Sequence, residues 1–168
     1  MSDLTKKKLI VGWFSFTCSE DSTILFTELL NDHFDEWKDL VEFRHLKVLK
    51  TKNSLDDLDV AFVEGAISSK KQEEEVRKIR ENSKYVVAVG ACACTGMPSS
   101  SRNEFDDKEI NEKVQWYLDH FDYSDKVKPL DKVIFVDDKV EGCPMNVKTF
   151  LEILNKYLEL FKISGLNL

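Results

Sequence analysis

The sequence predicts an α/β fold: a doubly wound, mostly parallel sheet of about five strands with helices on both faces, in a single domain spanning residues 1–168. Three observations carry this. Apolar runs of strand length alternate with stretches of helical periodicity, the pattern of βαβ units with right-handed crossovers. The most apolar run shows no polar alternation, the mark of a strand covered on both faces. No linker rich in Pro, Gly or Ser divides the 168 residues, of which 42% are apolar and 33% charged, enough for a sizeable core. The alternation is flavodoxin-like, and sheets of that kind bind ligands beyond the carboxyl ends of their strands.

Leu9 to Phe16 (LIVGWFSF) is the first strand, followed by a short polar loop and by Ile24, Leu25, Leu29 and Leu30 at helical spacing. Asp21 or Ser22 is placed to cap that helix. Val41 to Val48 alternates in character and reads as a less buried strand at the sheet edge. Asp59 to Ile67 (DVAFVEGAI) is a strand interrupted by Glu64, and the highly charged Ser69 to Asn82 is a helix. Tyr85 to Ala93 (YVVAVGACA), the most apolar run, belongs at the sheet's centre, with Cys92 and Cys94 at its end. A loop rich in Ser and Gly follows over Thr95 to Asn103, then a charged helix around Glu109 to His120, a strand at Lys132 to Val136 (KVIFV), a turn at Val140 to Pro144, and a closing amphipathic helix over Val147 to Phe161.

Composition narrows the function. A net charge of −7, with basic residues dispersed apart from Lys6 to Lys8, argues against a nucleic-acid footprint. Those three lysines read as a solvated lead-in. No stretch approaches the roughly 20 apolar residues that cross a bilayer, and the N-terminus lacks a signal-peptide core. A cytoplasmic location is therefore expected, where cysteines stay reduced and are metal-binding or catalytic more often than disulfide-bonded.

Cys18, Cys92, Cys94 and Cys143 all lie at or just beyond the carboxyl end of an expected strand. Buried packing is an ordinary fate for one cysteine, but chance burial has no reason to select three equivalent loop positions. Zinc is usually delivered by local pairs such as Cys-x2-Cys, and Cys92-Ala93-Cys94 is too tight for one. An iron–sulfur cluster takes thiolates from separate loops. The fourth donor is Cys94 or Asp21, the latter a harder oxygen ligand uncommon on such clusters.

These segments resemble the cluster-bearing small subunit of [NiFe] hydrogenases and the related 20 kDa subunit of NADH:ubiquinone oxidoreductase (complex I). The matching stretches are GWFSFTCSEDS (12–22), VAFVEGAI (60–67), AVGACACTG (88–96), PSSSRN (98–103) and VEGCPM (140–145), in the family's order. The resemblance implies one [4Fe–4S] cluster held at Cys18, Cys92 and Cys143, with Asp21 standing where the family has the second cysteine of Cys-x-x-Cys. Oxygen ligation by Asp21 is the preferred reading, with Cys94 or an open iron as substitutes. It also implies a short, soluble, single-cluster form relaying electrons between the NiFe(CN)2CO centre of a large subunit and a downstream acceptor, with further electron-transfer or diaphorase subunits in the assembly. No catalytic residue is expected in this chain. Glu64 is expected at the large-subunit interface or as a cap at the strand exit, Arg102 at the partner or the cluster surroundings, and Glu141 replaces a frequent proline of the turn.

Trp13, Phe14 and Phe16 read as core, and His33, His45 and His120 as surface or core residues. Two alternatives stand beside this reading. One is a complex-I-like electron-transfer subunit without hydrogenase activity. The other is a cluster-free flavodoxin-like binding module, against which Glu20 and Asp21 speak by repelling a phosphate at the first loop.

Overall fold

Alternating apolar runs and amphipathic stretches fold into β1 (Leu9–Ser15), α1 (Asp21–Asp32), α2 (Phe34–Trp37), β2 (Val41–Leu46), β3 (Leu58–Glu64), α3 (Lys70–Glu81), β4 (Ser83–Val89), α4 (Gly90–Thr95), α5 (Lys108–Phe121), β5 (Asp138–Val140) and α6 (Val147–Leu160). This computed structural model describes residues 7–105 and 107–163, so Lys6 lies outside the described residues. The five strands pair in the order β2-β1-β3-β4-β5, every pair parallel, which is the flavodoxin-like arrangement. Such a sheet has its topological switch at β1 and β3, and its carboxyl edge is where loops can gather side chains.

Successive strand residues point to opposite faces, and the apolar side chains divide accordingly. Val11, Trp13, Val60, Phe62, Val87 and Val89 face α1 and α6, meeting Phe26, Phe150, Leu154 and Tyr157. Ala61, Val63, Val86 and Ala88 face α3 on the other side, meeting Val76 and Ile79. The first face is aromatic: Trp13 stacks on Phe26 with centroids 4.1 Å apart, and the Phe150 ring stands edge-on to Trp13, Phe26 and Phe62. Truncating a ring buried like Phe150 to alanine costs about 3–5 kcal/mol, lost transfer energy and a cavity together. Trp13, Phe14 and His45 are thus core residues, His45 stacking on Phe14 at 4.2 Å and setting Nδ1 3.0 Å from the Trp13 carbonyl.

The structure corrects two expectations. The run Lys132 to Val136 is not a strand: Leu130–Lys132 forms a 3-10 turn and the following residues pack as irregular chain, with Leu130 and Val133 buried under the α3 face. The strand that pairs with β4 is the short and polar Asp138–Val140. The sheet's centre is β3, buried at all seven positions, with β4 beside it. Apart from the end of β4, where Gly90–Thr95 forms a helix in place of the expected strand end, the remaining expected elements fall within a few residues of their limits, and β2 is the edge strand that its alternation indicated.

Helix α5 differs from the others. Asp107 caps it by accepting from the Ile110 amide at 2.9 Å, yet Leu118 is its one buried residue, so Trp116, Tyr117 and Phe121 lie more than half exposed.

Candidate metal centre

The site forms at the carboxyl edge, where three loops are cross-linked before any ligand is considered. Beyond β1 the chain turns alongside the exit of β3: Phe16 N donates to Glu64 O at 2.8 Å, and Thr17 and Ala66 exchange backbone bonds of 3.1 and 2.9 Å. Cys18 follows, half-buried, its sulfur accepting from the Glu20 amide at 3.4 Å. Glu20 then takes a left-handed φ of 62° to start α1, and its own side chain does not cap the helix.

Glu64 does. The carboxylate is 3% exposed and accepts from Ser22 N at 3.0 Å, from Thr23 N at 3.1 Å and from the Thr23 hydroxyl at 2.5 Å. Trp13 Nε1 in turn donates to Thr23 Oγ1 at 2.8 Å. A buried carboxylate needs partners, and the first turn of a helix supplies free amides and a favourable dipole. The expected Asp21 or Ser22 cap is therefore replaced by a residue from a neighbouring strand, and this frees Asp21, the first helical residue, to point outward.

Strand β4 ends at Val89, earlier than its apolarity indicated, because Gly90 takes φ +80° and turns the chain into α4. A side chain at Gly90 would bring its Cβ within 3.0 Å of Ser22 Oγ. Cys92 and Cys94 thus sit on a helix, where two residues correspond to roughly 200° of rotation. A strand would have set both thiols on one face. Instead Cys92 faces the cleft while Cys94 points into the α3-side core, its Sγ 3.5 Å from Ala88 O and 3.6 Å from Val140 O. Burial pushes the Cys94 thiol up to about 11.

The third loop is the turn Gly142–Met145 after β5, which Asn146 N closes by donating to Glu141 O at 2.8 Å. Gly142 is required there: its φ is +115° and an added Cβ would stand 2.5 Å from Pro144 O. Ala91 N donates to Gly142 O at 2.7 Å and Met145 N to Ser22 Oγ at 3.1 Å, tying this turn to the other two loops. Cys143 lies exposed with Sγ 3.8 Å from Asp21 Oδ2, which also accepts from Ser19 Oγ at 2.9 Å.

Cys18, Asp21, Cys92 and Cys143 consequently line one cleft, together with Glu64 and the two turn glycines. Cys94 does not. Burial, reinforced by repulsion from Glu64 and Cys92, pushes the Cys18 thiol up to about 11, so metal binding there must expel a proton. Three thiols and one carboxylate, delivered by three loops, thus line the cleft. Among the described residues no three such side chains gather about a single point, as one ion would require.

Arg102 lies outside the cleft. Its guanidinium donates to Asp125 O at 2.7 Å and Ser124 O at 2.6 Å, and beside it Asn103 exchanges two bonds with the Val127 backbone, so the pair staples the loop before α5 to the segment after it. Neither His33, which pairs with Glu36 at 3.1 Å, nor His120, stacked on Trp116, approaches the cleft. One residue beside the site had no expected role. Ser99 sets Oγ 3.2 Å from Cys92 Sγ and 3.1 Å from Thr17 O; its place in PSSSRN, a few residues past Cys92, was the available signal.

Comparison with known proteins agrees with this architecture. The profile of the family described as "NADH ubiquinone oxidoreductase, 20 Kd subunit" matches residues 18–157. A subunit of the F420-non-reducing hydrogenase from Methanothermobacter marburgensis is 29% identical over 122 residues, 64% of this chain and 39% of that protein. The HoxS subunit delta of an NAD-reducing hydrogenase from Cupriavidus necator is 28% identical over 131 residues, 65% of this chain and 63% of that protein. The chain thus spans less than two thirds of either relative. A chain in the crystal structure of an NAD+-reducing [NiFe]-hydrogenase superposes with a TM-score of 0.75 at 21% identity, covering 91% of this chain and 92% of that one, which shows a shared fold.

Proposed function

The chain belongs to the NADH ubiquinone oxidoreductase 20 kDa subunit family, and from that premise we propose that it is the small, electron-relaying subunit of a [NiFe] hydrogenase, holding one [4Fe–4S] cluster. The observation that carries the reading is the convergence of Cys18, Cys92, Cys143 and Asp21 on one cleft at the carboxyl edge. When bound, such a cluster supplies one-electron transfer at a potential set by its ligands, hydrogen bonds to sulfur and solvent exposure. The chain's own residues supply the rest. Cys18, Cys92 and Cys143 would hold the cluster as thiolates, and Asp21 would offer a carboxylate oxygen at the exposed corner beside Cys143. Glu64 fixes the first turn of α1 and hence the direction of Asp21. Glu20 N–H remains aimed at the Cys18 sulfur.

Hydrogen chemistry is assigned to a large subunit carrying NiFe(CN)2CO, seated over the cleft, with a downstream acceptor reached through further subunits. Names of relatives support this: the proteins from Methanothermobacter marburgensis and Cupriavidus necator are hydrogenase subunits. We place the protein in the cytoplasm, where four unpaired cysteines persist as thiols. Among the described residues no helix is long and apolar enough to cross a membrane.

The family's description supports a second reading, a complex-I-like relay whose large-subunit partner has lost its nickel ligands. The neighbouring large subunit decides between them by the presence or absence of two Cys-x-x-Cys pairs. For either reading, anaerobic reconstitution with iron and sulfide should give a brown protein whose reduced form has the EPR signal of a [4Fe–4S] cluster. A colourless, iron-free product overturns both.

A further inference from the structure

We propose that Ser99 is a positioning residue for the cluster proposed above, its hydroxyl donating to the Cys92 thiolate and raising the cluster's reduction potential. This rests on Cys92 being a ligand. The geometry points to it in three ways.

First, the hydroxyl is held within reach. Ser99 is half-buried, with Oγ 3.2 Å from Cys92 Sγ. The chain between the two residues is closed by Gly96 N donating to Cys92 O at 2.9 Å and Ser100 N to Gly96 O at 2.8 Å. Asn103, bonded twice to Val127, anchors the next turn. Ser99 therefore sits on a fixed loop rather than a free one.

Second, the single hydroxyl proton has two acceptors within reach, Cys92 Sγ at 3.2 Å and Thr17 O at 3.1 Å. Hydrogen bonds to a charged acceptor are roughly twice as strong as neutral ones, so a cluster-bound thiolate at Cys92 would draw the hydroxyl away from the carbonyl by rotation.

Third, that rotation leaves nothing unpaired. Thr17 O keeps the Ala66 amide at 2.9 Å, so its carbonyl is not orphaned when the hydroxyl leaves. The switch costs the protein no buried polar group.

A donor on the ligand sulfur stabilises the more negative, reduced cluster more than the oxidised one, which moves the potential upward. Cys18 takes its donor from a backbone amide, which substitution leaves in place. Ser99 is a side-chain donor and can be removed cleanly.

The test is a mediated redox titration, followed by EPR, of the anaerobically reconstituted full chain and of Ser99→Ala and Ser99→Thr. Ser99→Ala is expected at a more negative midpoint potential, and Ser99→Thr, which keeps the hydroxyl, at the wild-type value. Equal potentials for Ser99→Ala and wild type overturn the role of Ser99 alone. A wild-type chain that takes up no cluster removes the cluster reading and the role of Ser99 with it. Should Ser99→Ala fail to retain a cluster, Ser99→Gly, which also lacks the hydroxyl, replaces it: its midpoint should lie below wild type, and a wild-type value there overturns the proposal.

Discussion

The inner and outer halves of the cleft are built on different principles. Cys18, Cys92 and Glu64 form the inner half, partly or wholly withdrawn from water, with hydrogen bonds that run from Trp13 through Thr23 to Glu64 and with Ser99 Oγ in contact with Cys92 Sγ. Asp21 and Cys143 form the outer half, exposed and joined by one long contact of 3.8 Å. The inner side chains are preorganised by the fold, because moving Glu64 would leave buried amides and a hydroxyl of α1 unpaired. The outer donors are positioned only through their backbones, by the start of α1 and by the Gly142 turn. Substitution should therefore be severe on the inside and adjustable on the outside.

The largest expected effect is loss of the cluster from an inner donor. Cys92→Ser should bring iron per chain after reconstitution close to background, while Cys94→Ser, two residues along but facing the core, should retain the wild-type iron content; equal losses in both would remove the distinction. Next in size is Glu64→Leu, which leaves two amides and a hydroxyl of α1 without an acceptor. We expect it to cost about 2–4 kcal/mol in denaturant unfolding of the metal-free protein, with Glu64→Gln costing less because one oxygen remains.

Asp21→Cys, on the outside, should keep the cluster and shift its midpoint potential, since thiolate is a softer and more covalent donor than carboxylate. An unchanged titration would take Asp21 out of the ligand set. The smallest effect lies outside both halves. Burial lowers the pKa of His45 below its ordinary 6.5, so the unfolded chain takes up the proton first. His45 thus contributes stability that is present above pH 6.5 and is lost as the pH falls through its folded pKa. His45→Gln should flatten the acid limb of a Tm-against-pH curve for the metal-free protein, and an unaltered slope would exclude this origin.

Much of the fold was legible in sequence because a parallel sheet covered on both faces leaves long apolar runs, and β1, β3 and β4 all show them. The same signal misled where apolarity and strand pairing part company. KVIFV is apolar because Val133 packs under the α3 face, yet it forms no ladder, while the polar Asp138–Val140 does. The cysteines could be brought to the sheet's edge from their place after each strand, while the choice of Cys18, Cys92 and Cys143 with Asp21 followed from the family resemblance. The division between Cys92 and Cys94 also came from the resemblance and not from periodicity, because the apolar run crosses the strand–helix boundary without a break and Gly90 is its one mark. A capping role was among the expectations for Glu64, but its partner, the first turn of α1, and the contact of Ser99 with Cys92 were hidden for another reason. Both depend on how the chain folds back on itself at the sheet edge, and periodicity reports only on the face that a residue takes within one element.

The bond from Ala91 N to Gly142 O has a consequence for the order of events during synthesis. Chains emerge from the ribosome N-terminus first, and contacts between distant segments must wait for the later one. Cys18 and Cys92 are translated long before the Gly142 turn that completes the edge, so through most of translation the cleft lacks one wall. Iron loaded in that interval would meet two thiols of the three. The final strand and turn act as a latch in time: the cluster proposed for this cleft would find all three thiols only after β5 has docked.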